Sequence, residues 1–576
     1  MVQSIRVDRD VPLRMRDGVT LRSDVLRPDD GAKHPAIVVR TPYGKGPSAN
    51  SDYFSPLAAA FAGYAVVIQD VRGRYASEGA FVPRGGEDGK DGWDTIEGVA
   101  AESWCDGNVG MAGASYLGAM QWRAALEGPP HLKAIAPHIV TPNRLSETRR
   151  AGMHELKATL GWSASMAIDT LGKLSAKGKD VASMLRAAQD TLADLDRACE
   201  VLPLNAVPFL DSTGSQARAR FGEKDLKGFE AERDIFLDLG RIRVPVMQAG
   251  GWYDNFIGDM ARTFVGLRKE AGSPIAREGQ YLFVGPWVHG VRLGSQVGEV
   301  NFGGQAAATR AMATQHHLAF FDKYLRGLDR AGLAKVRYFT MGANEWRTAE
   351  TWPLPEARLC RFFLHSGGRA NTARGDGTLS REEPGPEPPD AYVYDPASPT
   401  RSRGGRINPD LGEAGGPLDQ GVVESRSDVV CYTSDELTGD CEVTGPVELS
   451  LFAASSAKDT DFIARLVDVH PDGRAINIAE GCLRARYRNS ILKPELLEPG
   501  EPYQLYVDMG VTSHLFRRGH RIRVHVASSD FPRFDRNMNT GNPIGDDAAG
   551  APARQTIFHQ PGLASYVDLP VISQAR

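Results

Sequence analysis

The sequence predicts a doubly wound α/β domain that carries a helical insertion and is followed by an all-β sandwich. Short apolar runs alternate with helical segments on both sides of the insertion, which is typical of buried parallel strands. Within the insertion, apolar residues recur at helical spacing. In the last third of the chain, apolar and polar residues alternate, as they do in strands with one buried face.

The strands predicted for the α/β domain are apolar runs bounded by Pro, Gly or charged residues. The stretch Leu57–Ala62 precedes the second of them and predicts a crossover helix. The runs are Ala36–Val39, Tyr64–Ile68, Asn108–Met111, Leu132–Ala136, Val244–Met247 and Tyr281–Val284.

The insertion, from Leu145 to about Leu239, lacks strand signals and is predicted to be helical. From Val181 to Leu202, apolar residues fall three, four and seven positions apart, which predicts one apolar helix face. We therefore expect an α/β domain in two parts, 1–144 and 241–354, around a helical cap at 145–240.

Residues 355–576 are predicted to form the sandwich. Residues 367–420 are rich in Gly, Pro, Asp and Ser, which favours turns and loops. Alternation at Val447–Leu451 and Ile522–Val526 predicts half-buried strands, and His470–Arg474 predicts a tight turn at its glycine.

Composition excludes several classes of protein. Hydrophobic residues make up 41% and charged residues 24% of the 576 positions, as in a globular enzyme. A net charge of -5 with both signs mixed gives no field for nucleic acid or an anionic membrane, and no apolar stretch is long enough for a membrane helix. Six scattered cysteines and the absence of a leader pattern predict a cytoplasmic protein with free thiols. The oligomeric state stays open, with a homodimer among the alternatives.

The strongest motif surrounds Ser115, in the segment Gly110–Gly118. A nucleophilic serine stands on a sharp turn between a strand and a helix, where the crowded backbone requires small neighbours. The pattern here is G-x-S-x-x-G, so an ordinary serine in a glycine-rich turn remains the alternative from this segment alone.

Asp254 and His289 supply the partners that such a serine needs. Each follows a predicted strand, and catalytic groups of open α/β sheets collect at the carboxyl ends of strands. The order Ser, Asp, His is that of α/β-hydrolases, although each partner taken singly also reads as an ordinary loop residue. We expect His289 to take the proton of Ser115 and Asp254 to fix the imidazole tautomer. Other histidines are weaker candidates: His131, His138, His316 and His317.

Short segments along essentially the whole chain match one known family. They are Met15–Val19, Pro42-Tyr43, Gly63–Gly73, Ser77–Gly79, Trp104–Met111, Gly113–Gly118, Gly251–Asp254, Gly285–Trp287 with His289, Phe320–Asp322, Asp461-Phe462, Pro471–Ala475 and Asp535–Asn537. In these segments the chain resembles the CocE/NonD hydrolases, which are related to X-prolyl dipeptidyl peptidases and α-amino acid ester hydrolases. The resemblance implies an α/β-hydrolase domain, an inserted helical cap and a C-terminal jelly roll.

The resemblance also implies further site residues. The hydroxyl of Tyr43 and the backbone N–H of Tyr116 match the positions of the family's oxyanion hole, whereas tyrosine's packing role favours a plain turn aromatic at position 43. Trp162 and Phe256 match positions that line the acyl side of the substrate pocket. An aromatic residue on a cap helix is as often simple core.

No metal or cofactor is predicted. The segment Asp535–Asn539 echoes a calcium loop, but Thr540 stands where such a loop needs glycine. The acidic run Glu87, Asp88, Asp91 and Asp94 has helical spacing and predicts a solvated face.

The function predicted is cofactor-free hydrolysis of a small-molecule carboxylic ester through an acyl-enzyme. Amide or peptide hydrolysis on the same triad, as by a β-lactam acylase or an X-prolyl dipeptidyl peptidase, is the alternative. A third hypothesis is a ligand-binding protein whose hydrolase domain is inactive. The presence of all three triad residues argues against it.

Overall fold

The chain folds around two large sheets, seen in a computed structural model. The structure describes residues 4–46, 53–83, 85–143, 146, 148–207, 209, 238–290, 294–308, 310–330, 332–408, 412 and 414–572.

The first sheet is mainly parallel and has ten strands in the described part of the chain. In chain order the strands up to residue 354 are β1 Ile5–Arg14, β2 Thr20–Pro28, β3 His34–Thr41, β4 Ala65–Asp70, β5 Cys105–Ala114, β6 Leu132–His138, β7 Arg149–Arg150, β8 Met153–His154, β9 Val246–Tyr253, β10 Gln280–Val288, β11 Gln296–Val297, β12 Val300–Asn301, β13 Val336–Thr340 and β14 Glu345–Ala349. The sheet order is β1-β2-β4-β3-β5-β6-β9-β10-β13-β14, and β7–β8 and β11–β12 are separate hairpins. Pairing is parallel from β4 through β13 and antiparallel at both edges.

Each predicted apolar run overlaps one strand of this sheet. The strands β3 and β4 extend beyond their apolar runs to include the buried residues Arg40 and Gln69, where Arg40 Nε donates to Gln69 Oε1 over 3.0 Å. The edge strands β1 and β2 were not predicted, since the side chains of β1 are largely exposed and include several charged ones.

Helices cover both faces of this sheet. In the described residues they are α1 Pro56–Phe61, α2 Glu87–Ala100, α3 Tyr116–Glu127, α4 Leu156–Ala176, α5 Ala182–Ala193, α6 Leu195–Cys199, α7 Ile257–Glu270, α8 Pro274–Glu278, α9 Arg310–Arg326 and, in the second half of the chain, α10 Gly421–Glu424. Helices α2 and α3 pack together against β3 and β5. Helix α9 packs on β5 where Gly110 leaves room, since a Cβ there would lie 2.7 Å from the ring of Phe321.

The cap consists of α4, α5 and α6 around their own apolar core, which includes Leu160, Leu171 and Phe209. Two sequence expectations need correction. The hairpin β7–β8 lies in the stretch expected to be wholly helical. The single helix expected from Val181 to Leu202 breaks at Asp194, whose side chain accepts from the N–H of Arg197 and starts α6. Residues 210–237 of the predicted cap lie outside the described residues.

The acidic run on α2 is not the solvated face that the sequence predicts. Asp88 and Asp91 are buried, with 6% and 1% of their surface exposed. Asp91 accepts a bidentate pair from Arg72 at 2.9 and 2.6 Å, and Asp94 pairs with Arg16 at 2.7 Å. The guanidinium groups come from distant loops, so the spacing of the acids could not reveal them.

The second sheet system is all-β. Its strands are β15 Ala357–His365, β16 Thr378–Ser380, β17 Asp390–Tyr394, β18 Val430–Ser434, β19 Cys441–Ser455, β20 Asp461–Val469, β21 Ala475–Arg484, β22 Tyr503–Phe516, β23 Arg521–Ala527, β24 Ala553–Gln560, β25 Leu563–Ala564 and β26 Tyr566–Ile572. The hydrogen-bonded path is β17-β24-β19-β26-β15-β16-β18-β23-β20-β21, with β22 paired to β19. Strand β22 also packs on β20 and β21, which closes the path into a sandwich of the jelly-roll class.

One apolar core spans both sheet systems. It joins Trp252, Trp287 and Tyr338 of the α/β part to Leu449 and Val507 of the sandwich. The hydroxyl of Tyr253 also donates to the carbonyl of Asn477 over 3.0 Å. The end of β9 is therefore held by the all-β domain.

In the described residues, no helix is both long enough and apolar enough to cross a bilayer.

Candidate active site

Ser115 occupies a tight turn between β5 and α3. Its backbone lies at φ 54° and ψ -119°, a conformation that strains a residue with a side chain. The turn requires small neighbours: a Cβ on Gly113 would lie 2.5 Å from that of Leu117, and a Cβ on Gly118 would lie 2.6 Å from Val140. The N–H of Ser115 donates to the carbonyl of His138 over 2.8 Å, which anchors the turn to the neighbouring strand.

His289 and Asp254 form a buried pair. The strands β9 and β10 that precede them are adjacent and parallel, so both residues emerge at one edge of the sheet. His289 Nδ1 donates to Asp254 Oδ2 over 2.8 Å. The other carboxylate oxygen accepts the N–H of Phe256 over 2.7 Å, so both oxygens of this fully buried group have a partner. The tautomer fixed in this way leaves Nε2 of His289 as a proton acceptor.

Phe256 lies against the imidazole of this pair. Its ring meets that of His289 edge-on, with centroids 5.4 Å apart and the planes at 82°. Only 7% of Phe256 is exposed. The ring therefore restricts the orientation of His289 and shields its bond to Asp254 from water.

Three further aromatic residues gather beside the serine. The ring of Trp162 stacks on Tyr116 at 6.1 Å and 19°, and Tyr43 meets Tyr116 edge-on at 6.4 Å. Trp162 Nε1 donates to the hydroxyl oxygen of Tyr43 over 3.2 Å. The hydroxyl oxygen of Tyr43 is the acceptor in this bond, which ties the tyrosine to the cap helix α4. Tyr43 is 40% exposed, whereas Tyr116 is buried.

The other candidate histidines lie in different surroundings. His138 and His317 are 1% exposed, with ring centroids 4.3 Å apart, and burial lowers the pKa of His138 far below its ordinary value. Burial likewise lowers the pKa of His316 and of His317 to about 4. His131 lies at the surface beside Glu97, at 2.7 Å. Among the residues that the structure describes, none of these four histidines has a buried aspartate partner of the kind that His289 has.

The segment Asp535–Asn539, which resembles part of a calcium-binding loop, is bound by the guanidinium group of Arg484. Arg484 donates to Asp535 at 3.0 Å and to both oxygens of Asp461 at 2.8 and 2.9 Å. Asn537 donates to Asp459 and Asp461, both at 2.8 Å. The guanidinium neutralises the carboxylates that a Ca²⁺ ion would need.

One residue near the site was missed by sequence reasoning. Arg406 is fully buried and its guanidinium donates to four backbone carbonyls, of which one, at 3.2 Å, belongs to Trp252, two residues before Asp254. Its backbone N–H donates to Glu480 over 2.6 Å. An arginine in a loop rich in glycine carries no pattern that marks it as buried.

Comparisons with known proteins agree along the whole chain. The model of the X-Pro dipeptidyl-peptidase (S15) family matches residues 17–291, and that of the X-Pro dipeptidyl-peptidase C-terminal non-catalytic domain matches residues 331–568. Cocaine esterase of Rhodococcus sp. (strain MB1 Bresler) is 41% identical over 578 residues, which span 99% of each chain.

Solved structures share the fold. An aminopeptidase from a marine sediment Thaumarchaeota archaeon has a TM-score of 0.80 at 23% identity, over 99% of this chain and 96% of the other. An α-amino acid ester hydrolase has a TM-score of 0.75 at 24% identity, again over 99% and 96%. A CocE/NonD family hydrolase of Staphylococcus aureus has a TM-score of 0.68 at 18% identity, over 99% and 94%.

Proposed function

Since this chain belongs to the CocE/NonD branch of the S15 hydrolase family, we propose that it hydrolyses carboxylic esters with Ser115, His289 and Asp254 as its catalytic triad. The observation that carries the proposal is the 2.8 Å bond between His289 Nδ1 and the buried Asp254, at the same sheet edge as the serine turn. A general base in this mechanism needs an imidazole that a carboxylate holds in one tautomer, next to a nucleophilic hydroxyl.

Acylation begins when Ser115 Oγ attacks the ester carbonyl carbon and His289 Nε2 takes the hydroxyl proton. Asp254 stabilises the imidazolium that forms. As the tetrahedral intermediate collapses, the carbon–oxygen bond to the alcohol breaks and the alcohol leaves with the proton from His289. Water then attacks the acyl-enzyme carbonyl while His289 takes its proton, the bond from the acyl carbon to Ser115 Oγ breaks, the carboxylic acid leaves, and His289 returns the proton to Ser115.

The oxyanion of the tetrahedral intermediate is assigned to two donors, the hydroxyl of Tyr43 and the N–H of Tyr116. The N–H of Ser115 is occupied by the carbonyl of His138, so it is not a third donor. The bond from Trp162, in which the Tyr43 oxygen is the acceptor, supports this assignment because it holds the tyrosine side chain beside the serine turn. Such preorganised donors typically contribute a few kcal/mol each to the transition state.

The substrate is proposed to be a small-molecule ester with an apolar acyl half. Trp162, Tyr43 and Phe256 offer aromatic faces beside Ser115 and His289. Flat apolar groups bind well against such faces because they lose exposed surface without losing hydrogen bonds. We assign Trp162 and Phe256 to the acyl side of the pocket.

Peptide or amide hydrolysis remains the second candidate function, which the matching family model supports by its description. An amide is the harder bond, since the amine must be protonated before it can leave. Rates on matched p-nitrophenyl esters and p-nitroanilides with the same acyl group separate the two functions. We expect the esters to turn over faster, and faster anilide turnover would favour the peptidase.

The direct test is covalent labelling by a fluorophosphonate. The wild-type chain should incorporate one label and lose its esterase activity, whereas Ser115→Ala should incorporate none. Ser77, a buried serine whose hydroxyl donates to the carbonyl of Asp70, provides the matched control: Ser77→Ala should label normally. A wild-type chain that binds no label, or a labelled Ser115→Ala, would refute the triad.

Three broader assignments belong to the same proposal. The hydrolase domain comprises residues 1–144 and 241–354, the cap 145–240 and the jelly roll 355–576. The protein acts in the cytoplasm, which the free state of all six cysteines supports. A homodimer is the oligomeric form to test first, by light scattering of the pure chain.

A further inference from the structure

A cluster of imidazoles surrounds one carboxylate at the end of β20, far from the triad in sequence. Asp468 is the penultimate residue of β20, and His470 is the first residue of the turn that follows the strand. The antiparallel register pairs Val469 with Arg521, which places His470 opposite His520 one position further along. The rings of the two histidines are 4.4 Å apart.

The donor atoms of these three residues converge. His520 Nδ1 lies 2.8 Å from Asp468 Oδ1, and His470 Nε2 lies 3.7 Å from Asp468 Oδ2. One ligand atom from each of the three lies within 4.8 Å of the other two. Zinc bonds to nitrogen and oxygen are about 2.0–2.2 Å long, so small side-chain movements would let one ion contact all three.

A fourth residue, His514, supports the carboxylate from β22. Its Nε2 donates to Asp468 Oδ2 over 3.0 Å. It is 6% exposed, and its Nδ1 is a buried atom without a hydrogen-bond partner among the described residues. A ligating carboxylate is typically oriented by such a second hydrogen bond.

The cluster lines a cavity of about 220 Å³ between the two sheet systems. Tyr253, Phe302 and Met341 form its wall on the α/β side. Arg517 also lines the cavity, and its charge is offset by Asp440 at 3.1 Å. The side chains of His470 and His520 are 26% and 14% exposed, so an ion and its water can reach them.

We propose that Asp468, His470 and His520 bind one Zn²⁺ ion, with a water molecule from the cavity as the fourth ligand. Two imidazoles and a carboxylate bind Zn²⁺ better than Ca²⁺ or Mg²⁺, because the latter two ions take oxygen ligands. The ion would tie the turn after β20 to the turn before β23, and it takes no part in ester hydrolysis.

Titration of the chelator-treated full chain with Zn²⁺ against a chromophoric chelator tests the site. We expect about one equivalent to bind, and His470→Ala to weaken binding at least tenfold. His470 is partly exposed and its backbone bonds do not need the ring, so this variant should fold. His520→Ala is the second variant if His470→Ala does not fold. His514→Gln, which removes only the outer support, should weaken binding roughly 10- to 100-fold.

Two controls separate this site from others. His131→Ala removes an exposed histidine that also has a carboxylate partner, and it should bind Zn²⁺ like the wild type. His289→Ala removes the imidazole of the proposed triad and should still bind one equivalent of Zn²⁺. The zinc test is therefore independent of whether the proposed triad is correct. Thermal melting should show a Zn²⁺-dependent rise in the melting temperature of the wild type and a smaller rise in that of His470→Ala at the same Zn²⁺ concentration. A wild type that binds no Zn²⁺, or His470→Ala and His520→Ala variants that bind it normally, would overturn the site.

Discussion

The indole N–H of Trp162 donates to the hydroxyl oxygen of Tyr43, so a cap helix holds the side chain that we assign to the oxyanion hole. The two residues are 119 positions apart in the chain. A hydrogen bond across this distance fixes the tyrosine relative to the serine turn, because Tyr116 packs against both rings. Cap and hydrolase domain thus meet beside the proposed nucleophile.

Tyr43→Phe should lower kcat roughly a hundredfold or more and change KM little, since the hydroxyl stabilises charge that develops only in the transition state. Thermal stability should change little, because water can replace the acceptor for Trp162 at this half-exposed position. Trp162→Phe is the matched control, which keeps the Tyr43 hydroxyl and removes its donor. Steady-state kinetics on one ester decide the matter. A fully active Tyr43→Phe enzyme would contradict the assignment of Tyr43 and leave only backbone N–H donors for the oxyanion.

Ser115→Ala and Ser115→Gly should both lose esterase activity, but they should differ in stability. The backbone at position 115 strains any residue with a Cβ, and glycine releases that strain. We expect Ser115→Gly to be more stable than Ser115→Ala by about 1 kcal/mol after the larger unfolded-state entropy of glycine is subtracted. Denaturant unfolding measures the difference. A less stable glycine variant would argue against strain at the turn.

The buried histidines predict how stability depends on pH. Burial lowers the pKa of His317 from 6.5 to about 4, so between these values the unfolded chain binds more protons than the folded one. Stability should therefore fall on acidification through this window, with a slope near 1.4 kcal/mol per pH unit for one such group. His316 and His138 add to the same trend.

The variant His317→Leu tests the contribution of one ring. Its free energy of unfolding should fall less steeply than that of the wild type between pH 6 and 4. The substitution itself lowers the free energy of unfolding by the same amount at every pH. Only the slope of that free energy against pH therefore reports on the protonation of His317. Between pH 7 and 8 the two curves should run parallel. Equal slopes below pH 6 would mean that His317 is protonated in the folded state.

Arg406→Met should destabilise the protein by about 3–5 kcal/mol, because it removes the donor to four buried carbonyls and takes one positive charge away from the buried carboxylate of Glu480. Burial opposes ionisation of Glu480, yet nearby guanidinium groups, Arg533 and Arg406 foremost, lower its pKa to about 2. Arg361→Met is the control, since Arg361 pairs with Asp568 at the surface and its loss should cost under about 1 kcal/mol. Denaturant unfolding compares the two, and equal losses would contradict the buried role.

Sequence patterns predicted the α/β sheet well because its strands are continuous apolar runs. They failed where polar groups are buried with distant partners: Asp91 pairs with Arg72, and Arg40 with Gln69, neither of which shows in local periodicity. The break at Asp194 was missed because an N-cap aspartate does not interrupt the apolar spacing.

For the candidate site, chain order and strand ends predicted which residues the sheet would bring to one edge. The bond between His289 and Asp254 has the expected partners. The contacts of Trp162 with Tyr43 and Tyr116 depend on where the cap docks, which no local pattern specifies. The histidines beside Asp468 were missed for a similar reason, since His520 meets His470 only through the register of two strands 50 residues apart.

The apolar core that runs through both sheet systems links inactivation to unfolding. Trp252 and Tyr253 belong to that core and immediately precede Asp254, so melting of the sandwich would at the same time release the residue that we propose as the acid of the triad. Heat inactivation and loss of tertiary structure should then follow one cooperative curve, with no active intermediate that has shed its C-terminal half. Stabilising substitutions in the jelly roll, which lies away from the proposed substrate site, should therefore also slow the thermal inactivation of the enzyme.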